Sequence, residues 1–116
     1  MFVAPKNIDI LFSEVTADNL YLKLIEQINK DFNLANEGAD FPTNILPDEL
    51  KIQLQEKIYR LIHSKFDSYL NLLYIIDVSE KEIKLLDGSD LDVLAEQVSF
   101  LILKREWMKV WFRNRF

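Results

Sequence analysis

Glycine and proline, the two residues that interrupt helices, are nearly missing from the second half of this chain. Gly occurs only at 38 and 88 and Pro only at 5, 42 and 47, so residues 48–87 and 89–116 contain neither. Proline removes a backbone donor and glycine leaves the backbone loose, so long stretches without either favour helices over a turn-rich sheet. The apolar spacing agrees. Leu20, Leu24, Ile28 and Phe32 recur on one helical face, with Tyr21 and Ile25 beside them. That spacing predicts a first helix over 17–34, with Thr16 as its N-cap and Gly38 supplying the left-handed turn after it.

Pro47 suits a first helical position, and Asp48 and Glu49 would meet the positive dipole end there. A second helix then runs to Ile76, along a stripe from Leu50, Leu54 and Ile58 to Tyr69, Leu70 and Leu73. A kink near Ser64 or Asp67 is left open. Its last turns, YLNLLYII, are apolar almost all round, as in a buried segment. Ser79 and Glu82 have capping-box spacing, which predicts a short helix through Leu86. Ser89 or Asp90 caps a last helix over 91–113. In the N-terminal arm, residues 1–16, Ile8, Ile10 and Phe12 alternate as in a strand but have no second strand to pair with. The expectation is an all-α fold forming one domain over 1–116. It is a compact bundle of three long helices plus one short helix, with an extended N-terminal arm.

Composition narrows the function classes. A net charge of −5 argues against a general binder of polyanions, and the lack of Cys removes disulfides, thiolate metal sites and a Cys nucleophile. The longest strictly apolar run, Leu72–Ile76, falls far short of the roughly 20 residues a bilayer crossing needs. The start, MFVAPKNIDILF, lacks the basic and apolar regions of a secretory signal. These features predict a cytoplasmic protein without a membrane segment.

The stretch KVWFRNRF, Lys109–Phe116, resembles the recognition helix of homeodomains. The resemblance implies an adenine-reading role for Asn114, with Arg113 where that family has Gln. It covers eight residues, and no turn signal separates a preceding helix from it back to Ser89, so the helix-turn-helix scaffold is missing. Lys104, Arg105, Lys109, Arg113 and Arg115 against Glu106 leave residues 104–116 at +4 and the remainder at −9. A basic tail interleaved with Trp107, Trp111, Phe112 and Phe116 makes nucleic-acid contact through Lys109, Arg113 and Arg115 the alternative reading. Cations also simply favour a helix C-terminus.

The same helix carries two apolar faces. Leu91, Leu94, Val98, Leu101, Ile102, Met108 and Phe112 form one. Val93, Phe100, Leu103, Trp107, Val110 and Trp111 form a second, roughly opposite. Such a helix either threads the centre of the bundle or turns its second face to another chain. Aromatic anchors favour the latter, so these six residues are the candidate protein interface, for a homodimer or a helical partner.

Little else suggests chemistry. His63 and Asp67 share a face but are too few for a zinc site. Asp87–Asp92 lacks the sixth-position Gly and twelfth-position Glu of a calcium loop. Two glycines fifty residues apart make no phosphate loop. No cofactor, metal or catalytic residue is expected. The stretches LNLLYIIDVSEKEI and LAEQVSFLILKREWMKV resemble segments of small helical bacterial proteins of unassigned function. That resemblance implies a compact bacterial all-α domain and no particular activity. The expected role is a non-catalytic protein-interaction or structural module.

Overall fold

The computed structural model describes residues 1–115. Among the described residues six helices follow one another: α1 (Ile8–Ala17), α2 (Tyr21–Leu34), α3 (Pro47–Ser64), α4 (Phe66–Ile76), α5 (Glu80–Lys84) and α6 (Leu91–Arg113). No strand occurs among the described residues. The all-α class stands, and the helix count differs from three long plus one short.

Part of the arm read as extended is helical. Asn7 caps α1 by accepting from Ile10 N–H at 2.9 Å, and Leu11, Phe12 and Val15 are buried. The alternation at Ile8, Ile10 and Phe12 was the weaker of two overlapping patterns. Ile8, Leu11, Phe12 and Val15 fall at i, i+3, i+4 and i+7, and Ile10 is exposed. Thr16 therefore lies inside α1. Asn19, left-handed at φ 56, closes α1, with Leu20 N–H reaching back to Val15 O at 3.0 Å. The next helix starts at Tyr21 and not at 17.

After α2 the left-handed residues are Asn36, φ 58, and Asp40, φ 46, and not Gly38. What Gly38 permits is a close approach, because a Cβ there would sit 2.8 Å from Asn33 Oδ1. The 35–46 connection is held firmly. Asn29 accepts from Phe41 N–H and donates to Phe41 C=O, both at 2.9 Å, and Phe41 packs edge-on to Phe32. Tyr21 Oη donates to Ile45 C=O. Burial, with Glu49 nearby, pushes the Tyr21 phenol up to about 12, so that donor stays protonated at any ordinary pH.

The long second helix is broken at Lys65 (φ −142, ψ 61) without proline or glycine. Length supplies the reason. Thirty straight residues would span about 45 Å, more than the 37 Å long axis of the molecule. The bend lets Tyr69, Leu72, Leu73 and Ile76 return to the core already entered by Leu50, Leu54, Ile58 and Leu61. Asp77 then turns left-handed at φ 70, and Ser79 caps α5 as its spacing predicts.

α6 is the axis of the assembly. Asp90 caps it, accepting from Asp92 and Val93 N–H. At 23 residues it runs about 34 Å, nearly the whole long axis. It packs on α3 most extensively and also on α1, α2 and α4. Arg105 pins the end of α4 to it, donating to Asp77 C=O and to the Asp77 carboxylate, each at 3.0 Å.

The Asn29 clasp gives a direct test. Asn29→Ala leaves both polar groups of buried Phe41 without partners, and urea denaturation should show a loss of about 1–3 kcal/mol. A change within about 0.5 kcal/mol, the range of an ordinary surface substitution, would show the clasp to be dispensable.

Candidate functional site

Two apolar stripes made the second face of α6 the candidate interface, and the fold divides it. Leu103, Trp107 and Val110 are enclosed in the core. Val93 is exposed, while Phe100 and Trp111 are half-buried. Leu103, Trp107 and Val110 cannot meet a partner while α6 sits in its bundle. α1, α2, α3 and α4 all pack on α6, and the arm and α1 adjoin Trp107 and Trp111. Phe2 packs edge-on to Trp111 at 5.5 Å between centroids. Phe100 is covered differently, by Lys104 Nζ 5.8 Å above its ring, and that lysine is also ion-paired with Glu82 at 2.7 Å.

The cations named for nucleic-acid contact are also engaged. Lys109 Nζ donates to Asp31 at 2.8 Å, and Arg113 Nη1 donates to Gln27 Oε1 at 2.7 Å. Arg115 pairs with Asp18 at 3.0 Å and lies over the Trp111 ring at 4.5 Å. Asn114, the position matching the adenine reader, donates its side-chain amide to Val110 C=O and so finishes α6. Phe116, counted among the tail aromatics, lies outside the described residues.

What sequence reading missed is the polar cluster between α2 and α6. Gln27, Asp31 and Glu106 are buried, Glu106 completely. Gln27 Nε2 donates to Asp31 Oδ2 at 3.1 Å, and Lys109 approaches the same oxygen. Lys109 Nζ also stands 3.2 Å from Glu106 Oε1, an ion-pair distance without hydrogen-bond alignment. Neither Glu106 oxygen accepts a hydrogen bond from a donor, and with the Asp31 carboxylate beside it the two can share one only through a proton.

Electrostatics locate that proton. Burial first, and then the Asp31 charge beside it, push Glu106 from an ordinary 4.5 up to about 9. Asp31 is also raised by burial, but hydrogen bonds from Glu106, Lys109 and Gln27 outweigh this and hold it below the usual carboxylate range. At neutral pH Glu106 is therefore a neutral donor, and Asp31 an anion facing the Lys109 cation. Such pairs serve as acid catalysts where substrate can reach them. Here Glu106 has no exposed surface, so its proton can join two helices but meets no substrate while they stay packed. Spacing could have revealed the cluster. Gln27 and Asp31 continue the Leu24, Ile28 and Phe32 stripe, and Glu106 lies four residues from both Ile102 and Val110.

His63 is exposed, stacks on Tyr59, and shares a 2.9 Å contact with Ser64 rather than Asp67. Among the described residues no group of three or more His, Cys, Asp or Glu could hold a metal ion.

Because folding raises the Glu106 pKa, the folded state takes up a proton between 4.5 and about 9 that the unfolded chain has released. The Glu106 contribution is thus fully present below pH 4.5 and is lost as pH rises towards 9. Glu106→Gln, which keeps a neutral donor, should flatten the fall in urea midpoint between pH 5 and pH 9. Identical pH slopes for the variant and the parent would place the proton elsewhere.

Comparison with protein-family models, curated proteins and solved structures gives no match to this chain.

Proposed function

We propose that this chain acts through protein contact and not by catalysis, as a module that pairs with a second copy of itself through α4. One observation carries this. Phe66, Leu70 and Tyr74, at i, i+4 and i+8, are 53%, 48% and 82% exposed, although α4 already buries Tyr69, Leu72, Leu73 and Ile76 on its other side. A solvent-facing helix usually carries polar residues there. This stripe is self-complementary. In an antiparallel pairing about a two-fold axis, Leu70 meets Leu70 and each Phe66 lies opposite a Tyr74. Ring against ring beside a central Leu suits the aromatic-rich core of a protein interface. The contact is small, which fits a reversible association.

The other reading, nucleic-acid contact by Lys109, Arg113 and Arg115, would require phosphates to displace Asp31, Gln27 and Asp18 from those cations. Their existing partners weigh against it. In titrations of labelled DNA and RNA at low salt, the chain should show no salt-sensitive binding. Binding that weakens steeply with salt and with Arg113→Ala and Arg115→Ala would replace the protein-contact reading.

Sedimentation tests the pairing. At tens of micromolar the parent should sediment as a dimer, and Leu70→Glu as a monomer with an unchanged helical circular dichroism spectrum. A monomeric parent, or a dimer indifferent to Leu70→Glu, would rule out pairing through α4.

A further inference from the structure

A separate feature lies on another side of the molecule, where the start of α1 and the loop after α5 meet the seam between α3 and α6. A cavity of about 290 Å³ opens there, close to the lower size of small-molecule sites. Ile8, Leu86, Phe100 and Leu101 give it apolar walls drawn from three different parts of the chain. Lys6 and Lys51 stand at its edge with a single carboxylate, Glu96, so the rim is locally +1 on a chain whose net charge is −5.

One fact separates this rim from the basic tail. Among the described residues, neither Lys6 nor Lys51 has a carboxylate within ion-pair distance, whereas Lys104, Arg105, Lys109 and Arg115 all do. Greasy walls and two uncommitted cations together describe the complement of one kind of molecule.

We infer that this cavity binds a small amphiphilic anion, an unbranched apolar chain ending in a carboxylate. The chain lies against Ile8, Leu86, Phe100 and Leu101, and the head group is held by Lys6 and Lys51. The site stands apart from the α4 stripe, so it does not depend on self-association.

Decanoate, kept below its micelle concentration, is a suitable probe, followed by isothermal titration calorimetry and by amide NMR shifts. The expected result is saturable one-to-one binding, with shifts centred on Ile8, Leu86 and Phe100. The double variant Lys6→Glu/Lys51→Glu changes only rim residues, and should bind on the order of tenfold more weakly, a 1.4 kcal/mol change. Decyltrimethylammonium, with the same chain and the opposite charge, should not compete. The inference is overturned if decanoate shows no saturable heat, or binds parent and double variant alike. It is also overturned if the cationic amphiphile binds as well, or if the shifts fall elsewhere. Cavity shifts that instead follow protein concentration would mean that a second copy fills the groove, which equally overturns it.

Discussion

A helix that is apolar on two opposite sides has to be surrounded, and α6 meets that demand inside its own chain. Its nine buried residues, Ala95 to Val110, include Trp107 and Glu106, and helices packed around it remove nearly all of its core-facing surface from water. The other elements are arranged in consequence. α3 takes the longest contact, α4 bends back at Lys65 to reach the same core, and the arm lays Phe2 across Trp111. Burial of large apolar side chains is the dominant favourable term, so the position of α6 sets that of every neighbour.

A polar lock fixes which part of α2 faces α6. Apolar surfaces slide past one another at little cost, whereas a buried charged group must find its partner. Asp31 needs Lys109, Gln27 needs Arg113, and neutral Glu106 needs the Asp31 oxygen, so a shift of α2 by one turn would strand all of them. Arg105 on Asp77 does for α4 what Lys109 does for α2. The tail cations that looked like a nucleic-acid grip are the fasteners of this fold.

Much of this arrangement was legible in the residues, and the misreadings have physical causes. Pro47, Ser79 and Asp90 act locally through dihedral preference and capping, so the helix starts they mark were readable without any tertiary knowledge. The break at Lys65 falls between Ser64 and Asp67, where the residues left a kink open, and the overall dimensions are what require it. α1 was hidden by a coincidence of periods, since Ile8 and Phe12 satisfy alternation and helical spacing alike. Glu106 enters the sequence reading only as one negative charge against the tail cations, because a single sequence does not show that an inward carboxyl has a neighbour to share its proton with. For the same reason the six residues of the second α6 face could be grouped correctly by angle and still be divided by what covers them.

The ties that close the molecule join distant parts of the sequence. Arg115 meets Asp18, Arg113 meets Gln27 and Lys109 meets Asp31, each across most of the chain. During synthesis α1 to α5 emerge first, with their inner faces ready and the helix they enclose still inside the ribosome. Individual helices form early, but their lasting arrangement waits for α6. The nascent chain therefore spends that interval with the sides of α1, α2, α3 and α4 that α6 will cover still open to water, a window in which a chaperone would find it.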